Sequence, residues 1–102
     1  MATLDAIGLV VADIARSVDF YVLLGVPRPT DMEGPHVESV LPNGIRLMWD
    51  SIELVHQLDP NWKKPDGQQI GLAFLCDSPA DVDATHQKLV VAGFESSSSW
   101  RA

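Results

Sequence analysis

The sequence predicts an α+β chain made of about one and a half copies of a single unit, on three observations. A short apolar strand, a polar helix cap, an amphipathic helix, a glycine and an apolar residue occur in that order twice, from Leu4 and from Ile70. A hairpin signal, Pro42-Asn43-Gly44 between two β-type runs, follows the first copy only. Between the copies lies a stretch rich in turn formers, residues 57–68, with Asp59-Pro60, Pro65 and Asp66-Gly67. Chance likeness of two ordinary strand-helix units would give the same pattern, so duplication is one of two readings.

Each element has its own local cause. Leu4 to Val11 is apolar, partly β-branched and too short for a buried helix, which makes it a strand. Asp13 suits an N-cap, and Ile14, Val18, Tyr21 or Val22, and Leu24 then recur at helical steps on one face. Gly25 ends that helix, and Pro27 and Pro29 prevent its continuation. After a loop from Thr30 to Pro35, His36–Leu41 and Ile45–Ser51 form the hairpin, with Glu53 and His56 at or beyond its end. Ile70–Cys76 is the second strand. Ser78-Pro79-Ala80-Asp81 then opens a helix, with a capping serine, proline at the first helical position and an acid in the first turn. It runs through Val82, His86, Leu89 and Val90 to Ala92, and Gly93-Phe94 repeats the ending at Gly25-Val26. The boundaries are residues 1–56 for the first unit, 57–68 for a linker and 69–102 for a partial second unit. A closing hairpin there would need roughly 15 to 20 further residues. The missing edge is supplied by a continuation past Ala102, covered by another chain, or left exposed.

Composition narrows the function classes. The 102 residues, 46% hydrophobic and 21% charged, suffice for one core, and a mean hydropathy of +0.07 is too high for a disordered chain. A formal charge of -7 opposes binding to nucleic acid or anionic lipid. No apolar run reaches the roughly 18 to 20 residues of a membrane span, and the N-terminus has no basic lead into an apolar stretch, so the expected location is cytoplasmic. Cys76 is single and reads as a small apolar side chain. His36, His56 and His86 make no metal-binding spacing; His36 starts a strand and either faces a cavity or is solvated, and Glu53–His56 is an accidental or a catalytic carboxylate-imidazole pair. Asp77, Asp81 and Asp83 sit at a helix start, where the dipole favours them.

Leu9-Val10-Val11, Asp13, Ser17, Phe20-Tyr21, Leu24-Gly25, Pro42-Asn43-Gly44 and Ser78-Pro79-Ala80-Asp81-Val82-Asp83 together resemble the vicinal oxygen chelate superfamily, which includes glyoxalase I, bleomycin-resistance proteins and extradiol dioxygenases. The resemblance implies an α+β fold of paired βαβββ modules around a ligand cavity, with the second module incomplete here. It also implies, in metal-dependent members, a divalent ion held by His, Glu or Gln. The matching positions are Ala6 in the first strand and Gly71 in the second, neither of which can ligate, and Ile45–Trp49 carries no carboxylate. No metal ligand and no cofactor are therefore expected.

By strand alternation Ile7, Leu9 and Val11 face the helix while Ala6, Gly8 and Val10 face the cavity, with Gly71, Ala73 and Leu75 their counterparts. That wall reads as small, apolar and uncharged. The expected ligand-binding residues are Met48, Trp49, Ala73, Leu75 and Trp100, though a sheet must cover its concave face and the same residues also serve as core. No catalytic residue is assigned. The expected partner is a small apolar or aromatic molecule, in a homodimer. Two alternatives stand: a lyase, isomerase or dioxygenase whose site is completed by further C-terminal residues or a partner chain, and a chain that acts by strand exchange.

Overall fold

The structure is a computed structural model describing residues 1–66 and 71–95. The chain divides after Pro65 into two compact units.

The first unit contains β1 (Ala6–Val11), α1 (Ile14–Leu23), β2 (His36–Val40), β3 (Arg46–Ser51) and α2 (Ile52–Leu58). Its strands form one mixed sheet in the order β1-β3-β2. β3 lies between β1, to which it is parallel with Ala6 opposite Arg46, and β2, to which it is antiparallel with His36 opposite Asp50. The hairpin closes as its sequence predicts. Gly44 N–H donates to the Leu41 carbonyl, Gly44 takes φ +89°, and the Asn43 side chain accepts from Ile45 N–H.

Strand periodicity then sorts the side chains. Leu47 and Trp49 from β3 and Val37 and Ser39 from β2 point to one face and are buried with Val18 of α1 and Val26. Ile7, Leu9 and Val11 of β1 and Ile14, Tyr21 and Val22 of α1 pack around them, on the side expected from the alternation. Trp49 is fully buried, its ring edge-on to Tyr21 at 6.0 Å, and its Nε1–H donates to Ser17 Oγ at 3.1 Å. Ser39 is the buried polar residue of this core, and its hydroxyl donates to the Pro27 carbonyl at 2.6 Å. Burial of the Tyr21 phenol raises its pKa.

The second unit contains α3 (Pro79–Val91). Its ends repeat the main capping bonds of α1. Asp13 accepts from Arg16 N–H and Ser78 from Asp81 N–H. At the other end Gly25 and Val26 donate to the carbonyls of Val22 and Tyr21, and Gly93 and Phe94 to those of Val90 and Leu89, with both glycines at positive φ. The cap, helix, glycine and apolar residue of the repeated grammar thus recur in the structure, the strand before them excepted.

Two expectations are corrected. The stretch after the hairpin strand, with Glu53 and His56, and the first two residues of the expected linker form α2, because Ser51 caps it by accepting from Leu54 N–H and Glu53 lies in its first turn. Residues 71–76 of the expected second strand carry no strand structure. A strand is stabilised by a neighbour's hydrogen-bond ladder, and no strand is paired with this segment among the described residues. Ile70 lies outside those residues.

Candidate functional site

The face of the sheet opposite α1 is where the first unit displays chemistry. Alternation that buries Trp49 and Leu47 turns Arg46, Met48 and Asp50 the other way, together with His36 and Glu38 from β2 and Ala6, Gly8 and Val10 from β1. In register, Met48 lies between Gly8 and Glu38, while Asp50 lies between Val10 and His36. A Cβ at Gly8 would stand 3.8 Å from the Met48 methyl and 4.0 Å from Asp50 Oδ2. Bare backbone and a half-buried thioether are therefore side by side at the centre of this face.

Around that centre runs a chain of charges. Asp50 Oδ1 contacts His36 Nδ1, and His36 Nε2 lies 2.6 Å from Glu38 Oε2. Arg46 donates to Glu38 Oε1 at 2.9 Å and, from its other terminal nitrogen, to Asp5 Oδ2 at 2.7 Å. The bonds to Glu38 and then to Asp50 hold the His36 imidazole above its ordinary pKa, against slight desolvation. Glu38 is lowered by His36 first and by Arg46 second.

The β1 positions expected to make a neutral wall, Ala6, Gly8 and Val10, are neutral, but β2 and β3 bring charged side chains to the same face. Ile45–Trp49 indeed lacks a carboxylate, but β3 continues to Asp50, whose side chain shares the face of Met48. The signal was available, since centring the hairpin on Asn43 sets His36 opposite Asp50.

The expected ligand residues separate. Met48 is on the open face. Trp49 is a correction: it faces α1 with 0% exposure and has no surface to offer, because successive residues of a strand point to opposite sides. Ala73 and Leu75 belong to the second unit, in the irregular segment before α3, and both are exposed. Leu75 there borders an open cleft of about 590 Å³ with Phe74, Pro79 and Val82. Trp100 lies outside the described residues. His56 donates from Nε2 to the Trp62 carbonyl at 3.1 Å and its ring stands edge-on to Trp62, a contact that tethers the segment after α2.

The divalent ion implied by the resemblance does not fit the residues described. Ala6 offers a methyl group directly across from the Arg46 guanidinium, whose charge opposes a cation, and both nitrogens of His36 are engaged by carboxylates. No group of three His, Cys, Asp or Glu side chains among the described residues is arranged to hold a metal. Among the same residues, no helix is long and apolar enough to cross a membrane.

With this geometry in view, the family follows from comparison. The chain belongs to the Glyoxalase/Bleomycin resistance protein/Dioxygenase superfamily, whose profile matches residues 3–99. The solution structure of protein ATC0852 from Agrobacterium tumefaciens is similar, with 31% identity and a TM-score of 0.68 over 91% of this chain and 73% of that one. A glyoxalase/bleomycin resistance protein/dioxygenase from Nocardioides shares the fold at 23% identity and a TM-score of 0.67, covering 93% of this chain. The oxidase ChaP-H2 shares it at 22% and 0.58, covering 90%. This chain spans 64% and 63% of the lengths of the latter two. No curated protein matches it.

Proposed function

We propose that this chain binds a small molecule with a flat apolar or aromatic body on the open face of the first sheet, without a metal ion. The observation that carries this reading is the juxtaposition of Gly8 and Met48, where a ring can lie on bare backbone against a polarizable thioether. The charged rim from Asp50 to Asp5 selects for a ligand whose polar groups hydrogen-bond at its edge. The sequence reading of an apolar ligand is thereby narrowed to one with a polar margin. We also propose a homodimer, since β1 and β2 are the outer strands of the sheet.

N-phenyl-1-naphthylamine, a neutral fluorescent probe, tests the ligand reading in the full chain. Gly8→Leu places a side chain over the patch, where a Cβ has ordinary contact distances, and is expected to abolish binding. Loss of the Met48 contact in Met48→Ala is expected to weaken it about fivefold, the equivalent of roughly 1 kcal/mol of apolar contact. Unchanged affinity in both variants, with circular dichroism unaltered, would remove this face as the site. A stoichiometric divalent ion in the purified protein would overturn the metal-free reading. Mass by light scattering measures the oligomeric state.

A further inference from the structure

His36 holds a carboxylate at each ring nitrogen, Asp50 on Nδ1 and Glu38 on Nε2. A neutral imidazole has one N–H and one lone pair, so it can satisfy only one carboxylate and directs a lone pair at the other. Only the doubly protonated ring donates to both. The contacts join neighbouring strands, since Asp50 is on β3 and directly opposite His36 on β2.

We propose that His36 is a protonation-dependent staple between β2 and β3: as an imidazolium it fastens Asp50 to Glu38, and on losing its proton to solvent it lets one of the two carboxylates go on the open face. Charged and titratable groups surround His36 from the neighbouring elements. From β3 come Asp50 and the permanently charged Arg46, from β2 Glu38, and from the residue before β1 Asp5, which is tied to Arg46. β1 itself contributes only Ala6, Gly8 and Val10 to this face. α2, which follows Asp50 directly, carries Glu53 and also His56, bonded to the Trp62 carbonyl. Arg46 draws on Glu38 Oε1 while His36 draws on Oε2, so the two cations share that carboxylate without excluding each other.

The sign of the effect follows from linkage. A histidine whose folded pKa is raised stabilises the fold fully below its unfolded value, near 6.5, and this contribution is lost as pH rises through the raised folded value. Deprotonation also makes the open face more negative by one charge. The staple is a property of the two strands and does not depend on whether the face binds a ligand.

Long-range proton-nitrogen NMR of the labelled full chain tests it, with His36→Gln identifying the His36 signals. The expected result is that both ring nitrogens show imidazolium shifts at pH 6. The titration midpoint is expected to lie above that of His36 in the urea-unfolded chain, and Glu38→Gln and Asp50→Asn are each expected to lower it. A midpoint equal to the unfolded one overturns the proposal without recourse to any variant, and so does a midpoint that stays put in either substitution.

Discussion

Trp49 ties three parts of the first unit together through one side chain: its ring fills the space beneath α1, its edge meets Tyr21, and its indole N–H reaches Ser17. Trp49→Phe removes the hydrogen bond and part of the volume. The expected loss is about 1–2 kcal/mol in urea unfolding, against roughly 3–5 kcal/mol for Trp49→Ala. Ser39→Ala leaves the Pro27 carbonyl without its 2.6 Å donor and is expected to cost about 1 kcal/mol. Tryptophan and methionine at adjacent strand positions could both be read from the sequence as surface or as core. Only one can face α1, and choosing between them requires the parity of β3, which burial of Leu47 and Trp49 fixes. His36 and Asp50 were harder to connect because the sequence separates them by fourteen positions and the hairpin register unites them.

At the scale of elements, the helix ends were the most legible features, because capping is local chemistry. Asp13, Ser78, Gly25 and Gly93 all act as their residue types suggest. Asp13→Ala and Ser78→Ala each remove one N-terminal acceptor, and each is expected to lower helix stability by about 1 kcal/mol. The two helices should nevertheless report differently in hydrogen exchange. α1 buries Val18 whereas α3 has no fully buried side chain, so the amides of α3 are expected to exchange first. α2 was not anticipated, since Glu53 and His56 were placed only at or beyond the end of the hairpin strand; the signal for it is Ser51, which caps the helix. The strand expected before α3 failed for a different reason: an apolar run states a preference for burial, and a ladder needs a partner that the run itself cannot provide.

At the scale of the whole chain, the two compact units separate after Pro65. Lys63 and Lys64 are exposed there, outside any helix or strand, whereas Arg16, Arg46 and Lys88 lie in regular elements and Arg28 precedes a proline. Brief trypsin treatment is therefore expected to cut after Lys63 before any other basic residue in residues 1–95, releasing a fragment with the mass of residues 1–63. Earlier cleavage at Arg16 or Lys88 would show that a helix opens more readily than the linker. Family membership extends over both units, through a match to residues 3–99, while the charged open face belongs to the first alone.

The mixed pairing of β3 carries a consequence for the order in which the sheet is made. The turn at Pro42-Asn43-Gly44 brings β2 to β3 through a loop of a few residues, but β1 meets β3 with partners about forty positions apart. Chain entropy opposes the long closure more than the short one, and parallel pairing adds no compensating local turn. The hairpin is thus the natural nucleus and β1 the late arrival. Substitutions such as Leu9→Ala are then expected to quicken unfolding more than they slow folding.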